Sequence, residues 1–381
     1  MTSRKVAIVG AALSECGSVP NRTSMQLIHQ ASAEALADAG LSRDDVDGFG
    51  SHGTTLPPIE VSEYLGLKPT WVDSTNVGGG SWEFMAQHAA AAIMAGDADV
   101  VLLAYGSTAR SDVKRRTRTG TTAVNNAGPL QFDVPFGHTL ISKYAMAARR
   151  HMHEYGTTVD QLAEIAVAAR EWAMMNPLAA KRDPLSIDDV HRAPMVADPF
   201  TALHCCLRSD GGGAIVLAGA ERARDCAKPP VWILGSAQAA SHVTMSQWDD
   251  FTVSPCALSG PAAFGRAGVS PDDIDVCQIY DSFTSTVLLS LEGLGFCGKG
   301  EGGQFVAEKR LRPGGSLPTN TDGGGLSSCH PGMRGMFLLV EGVRQLRGEC
   351  GQRQVPNAQL CCINATGGFF SAVSTMILGK D

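Results

Sequence analysis

The sequence predicts an α/β fold made of two duplicated, doubly wound halves, because a turn sequence recurs at a fixed offset and the same strands and helices alternate around each copy. Residues 37–47 read Ala-Asp-Ala-Gly-Leu-Ser-Arg-Asp-Asp-Val-Asp and residues 265–275 read Gly-Arg-Ala-Gly-Val-Ser-Pro-Asp-Asp-Ile-Asp; six of the eleven positions are identical at an offset of 228.

A strand ending in glycine precedes each copy, Ala7-Ile8-Val9-Gly10 in one and Val231-Trp232-Ile233-Leu234-Gly235 in the other. A second strand follows each, at Gly48–Gly50 and at Val276–Tyr280. Later comes a helix that ends at glycine and leads into a buried strand: Trp82–Ala95, Gly96 and Val100–Ala104 first, then Gly335–Arg347, Gly348 and Leu360–Ile363. Such alternation implies a mixed sheet covered by helices in each half, with residues 1–230 forming the first and 231–381 the second. Residues from about 108 to 195 break the pattern with a basic stretch, Lys114-Arg115-Arg116, and two helix-like runs, Leu140–Tyr155 and Val159–Met175. An insertion of this size is expected to form a lid or substrate-binding subdomain.

At 381 residues, 44% hydrophobic and 18% charged, the chain has the composition of a well-cored globular protein. The formal net charge of −7 argues against nucleic-acid binding, which needs a clustered excess of Lys and Arg. The eleven cysteines are scattered or adjacent (Cys205-Cys206, Cys361-Cys362) within apolar runs, so core filling in a reducing compartment is expected. No Cys or His spacing suits zinc, so no metal is expected. The start has no apolar signal region and no run is long enough to span a membrane, so a cytoplasmic location is expected.

In open α/β sheets, ligands bind at the carboxyl ends of strands and beside helix amino-termini, where free N–H groups favour developing negative charge. Here those places are Val77-Gly78-Gly79-Gly80-Ser81 and Gly323-Gly324-Gly325-Leu326-Ser327-Ser328-Cys329-His330-Pro331-Gly332. Gly79 lies 17 residues before Gly96 and His330 lies 18 before Gly348, so the two are near-equivalent in the repeat.

With these two glycine-rich helix starts the chain resembles the thiolase superfamily along its whole length, and within it the sterol-carrier-protein type. That family's His-Asp-Cys-Phe motif is matched by Tyr280-Asp281-Ser282-Phe283 and its Gly-His-Pro motif by Cys329-His330-Pro331. The resemblance implies a five-layer αβαβα sandwich, a homodimer and an acyl-CoA substrate, coenzyme A entering as part of the substrate with no tightly bound cofactor. The departures are informative: the family's reactive cysteine falls on Gly79 with Ser81 at its serine, the second catalytic cysteine falls on Ser282, and the carboxy-terminal Cys-x-Gly is replaced by Asn364-Ala365-Thr366-Gly367-Gly368. Thiolysis requires a thiolate to take the acyl group, so the ordinary thiolase reaction is not expected. The aldolases of steroid side-chain degradation show a similar pattern, with a Gly-Gly-Gly start and a Tyr-Asp-x-Phe segment. Their late catalytic tyrosine would fall on His330.

The expected reaction is therefore retro-aldol cleavage of a β-hydroxyacyl-CoA, a steroid or other bulky thioester. It needs a base for the hydroxyl proton, a pocket for the enolate and an acid for the α-carbon, but no nucleophile. Tyr280 and His330 are expected to divide the proton transfers. Backbone N–H groups around Gly79, Gly80 and Ser81, with Asn364 and Gly367 nearby, would hold the enolate oxygen. Asp281, Ser282 and Cys329 are candidates for supporting roles. Lys114, Arg115 and Arg116 could meet the phosphates of CoA. His204 and His138 are expected to be structural or peripheral, and Asp210-Gly211-Gly212-Gly213 to close a turn, since no GxGxxG opens a helix there. The competing readings are an acyltransferase with Ser81 or Cys329 as nucleophile, and a non-catalytic subunit. The resemblance also implies a small partner with an OB-fold and zinc ribbon.

Overall fold

The structure, a computed structural model, describes residues 5–115, 128–137 and 139–380, with no account of the side chains of residues 113–115, 130 and 134. Its strands are β1 (Val6–Leu13), β2 (Gly48–Ser51), β3 (Trp71–Asp73), β4 (Val100–Ser107), β5 (Met195–Ala197), β6 (Phe200–Thr201), β7 (Gly211–Gly219), β8 (Val231–Ala240), β9 (Val276–Ile279), β10 (Leu360–Gly367) and β11 (Ala372–Gly379). Nine of them run in the order β3-β2-β4-β7-β1-β8-β11-β10-β9, while β5 and β6 form a separate pair.

The duplication read from the turn sequence reappears in the topology. From the seam outward, β1-β7-β4-β2 in one half repeats as β8-β11-β10-β9 in the other, with the same antiparallel, antiparallel, parallel pairings. Even the parallel partner of β2, β3, has a counterpart in the parallel bridge between Cys277 and Thr319. The seam is thin, since β1 and β8 pair only at Ala7 with Trp232 and Ile8 with Val231.

Helices Ser81–Ala95 and Gly335–Arg347 pack on each other between the two halves of the sheet, and helices Ser24–Ala39 and Cys256–Ala267 cover the outside. This gives the five layers αβαβα. Strand alternation assigns side chains to layers: Cys361 enters the central core and its neighbour Cys362 the outer one. All eleven cysteines are free. The inserted helices Leu140–Tyr155 and Val159–Met174 lie where the hydrophobic pattern puts them, packed on helix Thr284–Leu294 of the second half.

Two glycines at corresponding places let the outer helices lie directly on the sheet. A β-carbon on Gly10 would overlap the carbonyl oxygen of Ala35, and one on Gly235 would overlap that of Ala263. Gly10→Ala and Gly235→Ala are each expected to lower unfolding stability by about 2 kcal/mol or more, as overpacking does. Gly265→Ala, where a β-carbon meets nothing within 4 Å, should be neutral or stabilising. Denaturant midpoints of the three variants check this.

Candidate active site

The end of β9 delivers the first functional side chain. Val276 faces the central core, Cys277 the outer one and Ile279 the outer one again, so Tyr280 turns inward, 5% exposed. Its backbone N–H donates to the carbonyl of Asn364 at 2.8 Å, which continues the parallel pairing with β10. The phenol then lies against the start of helix Ser81–Ala95. A β-carbon built on Gly79 would come no more than 2.5 Å from Oη, Cζ and Cε2 of Tyr280. No side chain fits at position 79 while Tyr280 keeps this place.

The second side chain comes from the other inner helix start. His330 is 8% exposed and its Nε2 is 3.0 Å from Tyr280 Oη, with the rings edge to face at 89°. Its backbone is clamped from both sides: its N–H donates to Ser209 Oγ at 2.8 Å, and Ser209 N–H donates back to its carbonyl at 3.2 Å. Tyr105 Oη donates to the next carbonyl, that of Pro331, at 2.6 Å. The two helix starts are tied together where Gly335 N–H donates to the Gly79 carbonyl at 3.1 Å.

Between these parts, Asp281 organises the loop that carries His330. Its carboxylate accepts the N–H groups of Gly325 (2.7 Å) and Leu326 (3.1 Å) at a π-turn spanning Gly324–Ser328. The fully buried Arg334 contacts Asp281 at 3.2 Å and Asp322 at 2.6 Å, and donates to the Cys329 carbonyl at 2.8 Å.

Burial, followed by the nearby Arg334 cation, pushes the His330 imidazole down to about 4. Burial pushes the Tyr280 phenol well above its ordinary range. At neutral pH the pair is thus a neutral imidazole against a neutral phenol, able to accept one proton at nitrogen and give one from oxygen. Burial also raises Asp281, to about 6, against the opposing pull of Arg334.

Residues 237–380 match the family described as Thiolase C-terminal domain-like. The chain is 36% identical to the 17-hydroxy-3-oxo-4-pregnene-20-carboxyl-CoA lyase of Mycobacterium tuberculosis, over 100% of both chains. It is 34% identical to a steroid side-chain-cleaving aldolase of Thermomonospora curvata, over 98% of both. It is also 34% identical to an acetyl-CoA acetyltransferase of Methanothermobacter thermautotrophicus, over 99% of this chain and 100% of that one. Among solved structures, an Ltp2-ChsH2(DUF35) aldolase superposes with a TM-score of 0.90 at 33% identity, over 99% of this chain and 98% of that chain. The chain belongs to the thiolase superfamily, in the branch of the side-chain-cleaving aldolases.

Against the thiolase pattern, the predicted residues separate into those the fold brings together and those it does not. Gly79 lies against Tyr280, Gly80 against Ala365, and Gly367 against the segment before the helix, where a β-carbon on it would overlap the Val77 carbonyl. Among the described residues, the N–H groups of Gly79 and Gly80 have no protein acceptor and stand at a helix amino-terminus. Ser81 spends its hydroxyl on its own turn, donating to the Gly78 carbonyl at 2.6 Å and accepting from Val77 N–H at 3.1 Å. That leaves it without a base.

Asn364 is a correction to the expected site. It sits one residue out of phase with Tyr280's neighbour Ala365, so its side chain turns to the opposite face of the sheet. There its amide donates to Thr375 Oγ1 at 3.0 Å, which rules it out as an enolate donor. Ser282 hydrogen-bonds Thr286 at 2.9 Å, and Cys329 is buried against Ser209 Oγ at 3.1 Å and against the thiol of Cys16. Asp210 caps helix Ala109–Arg115 through the N–H groups of Arg110 and Ser111, and Gly211-Gly212-Gly213 open strand β7, paired with Ser107, Gly106 and Tyr105 of β4, rather than closing a turn. His204 accepts Thr201 N–H at 3.1 Å within a buried turn. The side chains of Lys114 and Arg115, and Arg116 and His138 entirely, lie outside the described residues.

Sequence reading missed Ser209 and Tyr105, which hold the His330 loop from distant parts of the chain, and Asp322 and Arg334, which flank it eight residues before and four after His330. It also missed Glu83, a fully buried carboxyl in the first turn of helix Ser81–Ala95 whose oxygens lack hydrogen-bond partners among the described residues. The shared volume of Gly79 and Tyr280 has a direct test. Gly79→Ala should lower stability by about 2 kcal/mol in the wild-type background but by little in a Tyr280→Ala background. Additive losses in that double-mutant cycle would contradict the overlap.

Proposed function

We propose that this protein is a carbon–carbon lyase that cleaves a β-hydroxyacyl-CoA by a retro-aldol reaction without a covalent acyl-enzyme. One observation carries the reading: Tyr280 fills the volume where the superfamily's nucleophile would project from position 79. The bond to a thiol is unavailable, and a proton-transfer pair stands in its place. The names of the matched lyase and aldolase support a bulky, steroid-type acyl group on the thioester.

In the proposed step, the Tyr280–His330 pair takes the proton of the β-hydroxyl, which becomes a carbonyl as the bond between the α- and β-carbons breaks. The electron pair of that bond passes into the thioester as an enolate, held by the N–H groups of Gly79 and Gly80 at the helix start. The same pair returns the proton to the α-carbon, releasing an acyl-CoA and a ketone or aldehyde. The neutral imidazole is the final proton acceptor and the neutral phenol the donor, burial holding each group in the protonation state its role needs.

In this reading coenzyme A would lie in a groove of about 830 Å³ lined by Arg149, Arg150, His153, Met245 and Trp248. A buried aromatic cluster runs from it towards Gly79: Trp248 packs at a tilt on Phe370 (5.8 Å between ring centroids), Phe370 on Tyr144 (5.2 Å), and Tyr144 Oη donates to the Gly368 carbonyl beside Gly78. Among the described residues no helix is long and apolar enough to cross a membrane. The reading includes a cytoplasmic homodimer that works with a small second chain carrying an OB-fold and zinc ribbon, a partner supported by the two-protein name of the matched aldolase structure.

Tyr280→Phe and His330→Ala are expected to reduce cleavage of branched β-hydroxyacyl-CoA esters by roughly 10²- to 10⁴-fold while the fold is retained; near-normal rates would reject both roles. Intact-protein mass after incubation with an acyl-CoA should show no adduct, whereas an adduct on Ser81 or Cys329 would favour acyl transfer. With Asp281 at about 6 and His330 at about 4, kcat/KM should hold level from pH 8 to about pH 7, fall through pH 6 as the carboxylate that holds the His330 loop takes a proton, and fall again as the imidazole takes one near pH 4. Replacing Arg149 and Arg150 together by Ala should raise KM by about tenfold with kcat little changed, loss of one charge-assisted contact being worth about 1.5 kcal/mol.

A further inference from the structure

Arg334 stands out among the residues the mechanism leaves unused, because a fully buried cation beside a proton-transfer pair is costly unless it does something there. Its guanidinium ties together three separate stretches of chain: Asp281 at the end of β9, Asp322 in the loop before the π-turn, and the carbonyl of Cys329 next to His330. The convergence is tight. The point that a β-carbon on Gly325 would occupy lies within 3.2 Å of Asp281 Oδ1, His330 Cδ2 and Arg334 Cδ at once.

We propose that Arg334 is a positioning residue for the lyase reaction, fixing the His330 loop against Tyr280 and setting a permanent positive charge beside the imidazole. The inference rests on the proposed proton-transfer role of Tyr280 and His330. Two effects follow from one side chain. The three-way tie keeps Nε2 at 3.0 Å from the phenol, and the charge keeps the imidazole in the neutral form that can accept a proton. A guanidinium suits both tasks, because it stays charged when buried and its planar fork serves several acceptors together. The other titratable groups facing the pair are Asp281 and Asp322, which balance the cation, Cys206, Tyr144 and Tyr105, which act on the phenol side, and Cys329 beside the histidine.

The two effects separate in the substitutions Arg334→Lys and Arg334→Met. Lysine keeps the charge but serves fewer acceptors, so kcat should fall about tenfold or more with the acid limb of kcat/KM unmoved. Methionine removes the charge as well, so the acid limb should move up towards the ordinary imidazole range, and the ratio of rates at pH 8 and pH 6 should rise several-fold. Added guanidinium ion should restore part of the activity of Arg334→Met. A titration of the His330 ring by NMR in protein labelled at histidine, assigned by its loss in His330→Asn, reads the charge effect without any substrate. It therefore stands even if the lyase assay fails. An unchanged His330 midpoint in Arg334→Met, or equal movement in the lysine and methionine variants, overturns the proposal. Should Arg334→Met not fold, Arg334→Lys decides by its pH profile: a moved acid limb refutes the proposal and an unmoved one with reduced kcat supports it.

Discussion

The packing of the Tyr280 phenol against the bare backbone of Gly79 is the constraint from which the site's chemistry follows, because two inner helix starts leave room between them for one side chain only. A thiol projecting from position 79 and a phenol projecting from position 280 would need the same space. Whichever residue occupies it decides whether the helix amino-terminus faces a nucleophile or a proton donor. In this chain the phenol occupies it and takes His330 as its partner at 3.0 Å. The site then presents a phenol–imidazole pair beside helix-start N–H groups, and position 79 has no side chain to take an acyl group.

The duplicated fold explains why such a space exists. Each half ends its strand-loop segment at an inner helix, and the layered packing brings both helix starts to one place, joined by the bond from Gly335 N–H to the Gly79 carbonyl. The start of the first inner helix keeps the N–H groups of Gly79 and Gly80 without a protein acceptor among the described residues, while the start of the second is tied to it through Gly335. The halves are symmetric in topology but not in chemistry. One offers bare backbone at Gly79 and Gly80, and the other offers His330 on a loop built from Asp281, the π-turn and Arg334.

Much of this was legible in the chain because the signals were local. The turn repeat, the glycine that ends each inner helix, and the inward direction of Tyr280 all follow from periodicities of a few residues, and the structure places Tyr280 and His330 together as their motifs implied. Asn364 shows the limit. Its position in the chain put it beside the site, but strand alternation sends its amide to the opposite face, and only the register of β10 against β9 decides which face that is. Ser209 and Tyr105 show the other limit. They act on His330 and Pro331 across more than a hundred residues, through hydroxyls that carry no motif of their own.

Burial ties the electrostatics to the packing. Enclosing the pair lowers the imidazole and raises the phenol, so at neutral pH each group is held in its uncharged form, one able to accept a proton and the other able to give one. The same enclosure makes charges expensive, yet the His330 loop is organised by three of them, Asp281, Arg334 and Asp322. An apolar cluster could fill that space at lower desolvation cost, but it could not hold a π-turn whose N–H groups lack helical partners. Asp281 supplies those acceptors, and a lone buried carboxylate would shed its charge by taking up a proton. Arg334 opposes that loss, and Asp322 balances the remaining cation. The ion cluster is thus a consequence of the loop geometry that His330 needs, and the charge beside the imidazole comes with it.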